Sequence, residues 1–273
     1  MRISVSSSFG FTLSQPTDVL LQFEAADTPQ QLIINPDTWT PVARHTARVP
    51  AHDNIGHRYW LRAEGSCRVD YSAVVEIDQQ VVDIAGLDAL SPRHLPGEAV
   101  QYLFDSRYCQ SLEMQQIVGE QFGHLEGGSK IAAMRDWIYQ NFTYAPGSSD
   151  AQTTAIQSLE AKQGICRDYA HVLVSMARAS AIPARYVSCY APGVTPPDFH
   201  AIAEVFLADP ENPPSEDNPG GGTWQMVDAT GMADPAKTAK IGVGRDAADV
   251  SFLTVFGASQ FDFSSVAVEE VTD

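Results

Sequence analysis

Across the first hundred residues, apolar and polar positions alternate with a period near two. Short β-branched and aromatic runs (RISVSSSFGF, DVLLQFEAA, QLIINP, RYWLRAEG and CRVDYSAVVEID) recur between turn signals such as Asn35-Pro36-Asp37 and Asp53-Asn54. That rhythm predicts strands, and their number and spacing predict a small β-sandwich-like unit over residues 1–100.

After Pro92 and Pro96 the period lengthens to that of a helix. Residues 111–123 and 130–141 are predicted helices; in the second, Ile131, Met134, Ile138 and Phe142 repeat on one face and Trp137 widens it. Phe142-Thr143-Tyr144 runs into the break at Pro146-Gly147. A third helix starts near Cys166, carries Ala170, Leu173, Val174 and Ala177 on its apolar stripe, and stops around Ser180 before Pro183. Strands are expected at 184–190, 200–207 and 223–229, with a Pro/Gly-rich polar surface loop, Asp209–Gly222, between the last two. The tail FDFSSVAVEEVTD offers one more strand, and no internal repeat is evident. The predicted fold is α+β, with residues 1–100 a β-rich unit and residues 101–273 a unit of helices followed by strands.

Charge narrows the function classes. Asp and Glu number 34 against 17 Lys and Arg, a formal charge of −17, and such a field disfavours nucleic-acid and anionic-membrane partners. The N-terminus lacks the basic start and apolar run of a secretory signal. No stretch approaches the roughly 18 apolar residues of a spanning helix. Cys67, Cys109, Cys166 and Cys189 are scattered without zinc-site spacing; free thiols in a reducing cytoplasm are the simplest expectation, with a Cys67–Cys109 disulfide left open. His45, His52 and His57 fall in a polar region and read as solvated turn residues. Asp209–Asp217 is acidic but has no calcium-loop motif.

Three residues carry the chemistry. Cys166 opens a helix, where unpaired N–H groups and the helix dipole favour a thiolate and leave donors for an oxyanion. His200 starts one strand and Asp228 ends the next; if the two strands form an antiparallel hairpin, both residues emerge at the same end of the sheet. His200 then serves as base toward Cys166, and Asp228 orients the imidazole. His171 lies about 500° around the helix from Cys166 and reads as structural. Asp168 is assigned to the first helical turn, Arg167 to solvent, and Cys109 and Cys189 to packing. Tyr144 and Asn141 are candidates for a second oxyanion donor.

Four blocks then match a known pattern: Gly-Ile-Cys166-Arg-Asp-Tyr-Ala-His171, Ile-Pro-Ala-Arg-Tyr-Val187, Asp-Phe-His200-Ala-Ile-Ala-Glu-Val and Trp-Gln-Met-Val-Asp228-Ala-Thr. Their combination and order over about residues 130–231 resemble the transglutaminase-like superfamily. Ser-Arg-Tyr-Cys109 and the β-rich start resemble its bacterial members with a β domain before the core. The resemblance implies a papain-like core with Cys166, His200 and Asp228 as nucleophile, base and orienter. Members often carry Trp two residues after the His; this chain has Ile202.

The expected activity is cysteine-dependent acyl transfer on a peptide, protein or small amide through a thioester, of the peptidase, amidase or transglutaminase kind. Water is favoured over an amine as acceptor, because nothing in the sequence marks a site for a lysine-like amine. No cofactor or metal is called for, and neither nucleic acid nor membrane is an expected partner. The competing reading is a catalytically silent binding or scaffold module on the same core; a zinc enzyme lacks the ligand spacing.

Overall fold

The computed structural model describes residues 1–41, 45–211 and 221–271. The expected surface loop Asp209–Gly222, including the acidic stretch Asp209–Asp217, therefore lies largely outside the described residues.

The N-terminal alternation builds two long strands, β1 (Arg2–Leu21) and β4 (His57–Ile77), paired antiparallel along their length. Ile3, Val5, Phe9, Phe11 and Leu13 of β1 are buried, as are Cys67, Val69, Tyr71, Ala73 and Val75 of β4. Register sets Ile3 opposite Val75 and Phe9 opposite Val69, so both strands turn the same face inward. A register shift between Leu13 and Thr17 restores the inward set as Thr17, Val19 and Leu21. β2 (Gln31–Trp39) and β3 (His45–Pro50) pair with opposite halves of β4.

This differs from the expected run of separate short strands: the hydrogen bonds join them into one six-stranded sheet. Asn35-Pro36-Asp37, read as a breaker, sits inside β2 as a register shift, with Asn35 at φ 49°. The division at residue 100 also fails to follow the hydrogen bonds. β11 (Leu253–Val255) and β12 (Ser259–Glu270), from the far end of the chain, complete the first sheet against β1. Long-range pairing of this kind leaves no local trace in sequence. Ile84 and Leu87 likewise join the helical core rather than the β unit.

Short α1 (Gly97–Val100) leads to α2 (Ser111–Phe122) and α3 (Gly127–Asn141). The two-residue strands β5 (Thr143–Tyr144) and β6 (Gln163–Gly164) pair in parallel around α4 (Ala155–Ala161). Then come α5 (Cys166–Ala179), β7 (Ala184–Tyr190), β8 (His200–Ala208), β9 (Gly222–Val227) and β10 (Ala239–Gly244). The last four form an antiparallel sheet in the order β10-β7-β8-β9.

β7 and β8 are buried at every position, because both faces of their sheet are covered. Ala203, Val205 and Leu207 pack with Val172, Leu173 and Met176 of α5, whereas Ile202 packs with Val187, Cys189, Met226 and Val243. The two sheets share a core: Tyr190, Ala239 and Ile241 pack with Phe9, Phe11 and Val69. The Tyr190 hydroxyl bridges them, donating to the Phe23 carbonyl (2.7 Å) and meeting Ser7 Oγ at 2.9 Å.

Candidate active site

Cys166 is the first residue of α5, and the residues around it hold that helix end in place. Asp168, fully buried, accepts the Ile165 N–H (2.8 Å) and the Ser149 hydroxyl (2.5 Å). It is also paired with Arg167 Nη2 at 3.0 Å. Arg167, expected in solvent, is instead half-buried; its Nη2 also donates to the Asp150 carbonyl at 2.6 Å. Gly164 makes this arrangement possible, because a Cβ there would lie 2.5 Å from Asp168 Cβ.

His200 and Asp228 meet at the open end of the β8–β9 pair. The ladder ends at Ala203 opposite Val227, and beyond it His200 Nε2 lies 3.0 Å from Asp228 Oδ2. Asp228 is well supplied with donors: Oδ2 also accepts the Ala233 N–H (2.8 Å), and Oδ1 accepts the Thr230 N–H (2.8 Å). Burial alone would raise its pKa, but the His200 contact and these N–H groups outweigh it and lower the value. For His200, burial would depress the pKa; the Asp228 hydrogen bond, and then the Cys166 side chain, raise it to about 10. Nδ1 of His200 is buried and has no hydrogen-bond partner among the described residues. With Nε2 engaged by Asp228, Nδ1 is the nitrogen available to Cys166.

Cys166, His200, Tyr144 and Tyr186 line a cleft of about 600 Å³. Tyr144 stands beside Gly164 in the β5–β6 pair, packs against the cluster around Cys166, and lines the same cleft as that residue. Burial first, then the Cys166 sulfur, pushes its phenol well above the usual range. Asn141, the other candidate donor, is spent elsewhere: its Nδ2 donates to the Trp137 carbonyl at 2.8 Å. Sequence reasoning gave no reason to prefer Tyr144, since the β5–β6 pairing is too short to leave a pattern.

His171 is fully buried away from the sulfur. Its ring stacks on Tyr108 (centroids 5.2 Å apart) and its Nε2 accepts the Ala247 N–H at 3.1 Å. Burial, then Arg167, depress its pKa to about 3. The four cysteines are free and buried; Cys67 and Cys109 sit in different cores, so the disulfide left open by the sequence is not formed. Cys189 Sγ contacts the His200 carbonyl at 3.6 Å. His52 approaches Asp249 at 3.6 Å, and no group of three or more metal-ligating side chains exists among the described residues. A second cavity, about 820 Å³, is larger but lies away from the sulfur, lined by Asp27, Asp53, Arg185, Trp224 and Lys240. No described helix is long and apolar enough to cross a membrane.

Comparison with known proteins identifies the family and the fold. Residues 115–229 match the transglutaminase-like superfamily. The crystal structure of a Cytophaga hutchinsonii protein described as a candidate cysteine protease superposes with a TM-score of 0.90 at 31% identity, covering 100% of this chain and 92% of that one. An uncharacterized Mycobacterium leprae protein is 25% identical over 266 residues, 92% of this chain and 91% of its own length. An uncharacterized Mycobacterium tuberculosis protein is 32% identical over 147 residues, 49% of this chain and 44% of its own. The matched segment contains Cys166, His200 and Asp228, and the whole-chain likeness extends to the β-rich start: the chain belongs to the transglutaminase-like superfamily.

Proposed function

We propose that the protein is a cysteine-dependent acyl-transfer enzyme acting on amides, with Cys166 as nucleophile, His200 as general base and acid, and Asp228 as the group that orients and charges the imidazole. The reading rests chiefly on His200: a buried imidazole whose Nε2 is tied to a carboxylate, and whose Nδ1 has no other use than the neighbouring thiol. A histidine so placed exists to hold a proton.

In the reaction, His200 takes the Cys166 proton and the sulfur attacks the amide carbonyl carbon. Charge develops on the carbonyl oxygen, where the α5 N-terminus and the Tyr144 hydroxyl supply donors. The C–N bond breaks, His200 returns its proton to the leaving amine, and a thioester remains. Water, activated by the same imidazole, releases the acid and restores the thiol. We favour hydrolysis over amine transfer because water needs no binding site of its own, whereas a lysine-like amine does.

The deciding experiment is mass spectrometry of Cys166 after incubation with a library of peptide amides, alongside Cys166→Ala and His200→Ala. An acyl adduct on Cys166, lost in Cys166→Ala and strongly reduced in His200→Ala, is the expected result. A thiol that forms no adduct and alkylates only as a free cysteine would favour a silent binding or scaffold module. Normal turnover by Cys166→Ser would remove the nucleophile assignment.

A further inference from the structure

The cleft beside Cys166 carries a cation that catalysis does not use. Arg107 and Arg167 both approach the ring of Tyr108, with guanidinium carbons 5.0 and 6.0 Å from its centroid. That ring is held rigidly: the Tyr108 N–H donates to Asp246 Oδ2 (2.8 Å), its hydroxyl donates to the Ala151 carbonyl (2.8 Å), and His171 stacks nearly parallel at 16°. Arg167 is consumed by Asp168 and the Asp150 carbonyl.

Arg107 is different. It lines the cleft, is exposed, and pairs with no carboxylate among the described residues; its guanidinium rests on Tyr108 alone. In a chain with 34 acidic and 17 basic residues, the arginines Arg48, Arg62, Arg68, Arg135 and Arg245 each pair with a carboxylate, and Arg107 does not. An arginine left unpaired at the mouth of the cleft, yet pre-positioned on a fixed aromatic face, is arranged to receive an anion from outside. The carboxylate that lines the cleft, Asp198, stands two residues before His200, with its Oδ1 accepting the Phe199 N–H. The anion is therefore accommodated beside Tyr108 and repelled at the Asp198 position.

We propose that the acyl donor carries a carboxylate close to its scissile amide, as in an acidic peptide, and that Arg107 binds that carboxylate. The inference rests on Cys166 being the nucleophile and adds the substrate class. Arg107 acts as a specificity residue, reaching the substrate's carboxylate and not the reacting atoms.

Two alkylating reagents of opposite character test it. Iodoacetate and iodoacetamide both lose iodide as the Cys166 sulfur bonds to their CH2 carbon, but only iodoacetate brings a carboxylate. Arg107→Ala should lower the iodoacetate-to-iodoacetamide rate ratio at Cys166 about 5-fold at low salt, Arg107→Glu should lower it further, and Arg107→Lys should keep most of it. In turnover, peptide amides with Glu near the scissile bond should outperform their Gln counterparts, and Arg107→Glu should erase that preference through KM. A reactive Cys166 whose ratio is the same in wild type, Arg107→Ala and Arg107→Glu would overturn this inference and leave the nucleophile standing. A wild-type Cys166 inert to both reagents would overturn the nucleophile and the inference together.

Discussion

His200 Nε2 lies 3.0 Å from Asp228 Oδ2, and both side chains are buried. The contact outweighs the effect of burial and raises the His200 pKa to about 10. An imidazole so held stays protonated through neutral pH and loses its proton as pH rises through that value. Asp228→Asn removes the charge that sustains it. The alkaline limb of Cys166 alkylation by iodoacetamide should then move to lower pH, and kcat/KM should fall by at least about 100-fold. The same raised pKa gives His200 a stabilising share that is complete below its ordinary value near 6.5 and vanishes as pH climbs through about 10; chemical denaturation of the variant should show that share gone.

Tyr144→Phe keeps the ring that packs against Tyr169, at a centroid distance of 6.0 Å, and removes only the hydroxyl beside Cys166. If that hydroxyl serves the developing oxyanion, kcat should fall about 100-fold with KM little changed. Steady-state kinetics on a peptide amide separates the two constants, and a loss confined to KM would make Tyr144 a binding residue instead.

Gly164→Ala drives a Cβ to 2.5 Å from Asp168 Cβ and 2.7 Å from its Oδ2. Asp168 must yield, and with it the hydrogen bond that holds the start of α5. We expect a loss of about 1–3 kcal/mol in urea unfolding, together with slower alkylation of Cys166.

Glu204 is fully buried between two cations, with Arg185 Nη2 at 2.7 Å and Lys240 Nζ on its other oxygen. Arg185 in turn reaches Asp53 at 2.8 Å and lies over the Trp224 ring. Glu204→Gln strips the negative centre from this group and should cost about 3–5 kcal/mol by chemical denaturation. Replacing Glu204 and Arg185 together by apolar residues should cost less than the two single changes added.

His171, buried with a pKa near 3, resists protonation that the unfolded chain accepts near 6.5. Between those values the unfolded state binds more protons, so stability falls as pH falls, by up to about 1.4 kcal/mol per pH unit. His171→Gln offers another acceptor to the Ala247 N–H and should flatten this acid slope in a series of unfolding curves.

The core of the site was legible because its signals are local. The stripe Ala170, Leu173, Val174 and Ala177 marked α5, and the runs flanking the Asp209–Gly222 segment marked β8 and β9 closely enough to bring His200 and Asp228 to one end. The first sheet was less legible. The register shift between Leu13 and Thr17 interrupts β1, and Gly65, at φ 72°, interrupts the pattern of β4, so two long strands looked like four short ones. Arg167 was misjudged because the Asp150 carbonyl meets it only after the chain folds back, and because its neighbour Asp168 is drawn fully into the interior. Arg107 stood out only as part of the motif Ser-Arg-Tyr-Cys109, without a role: its meaning depends on a ring that His171, Asp246 and Ala151 hold from three separate parts of the chain.

The pairing of β12 with β1 ties the far end of the described chain to its start. Residues 3–13 find one neighbour at 65–75 but must wait for 259–270 to supply the other, and contacts spanning so much chain form slowly. Val250, Ser251, Phe252 and Thr254 line the same cleft as Cys166 on the way into that closing segment. Part of the cleft wall beside Cys166 is thus built from the stretch that leads into the strands closing the first sheet, so the candidate site and that sheet depend on one shared segment of chain.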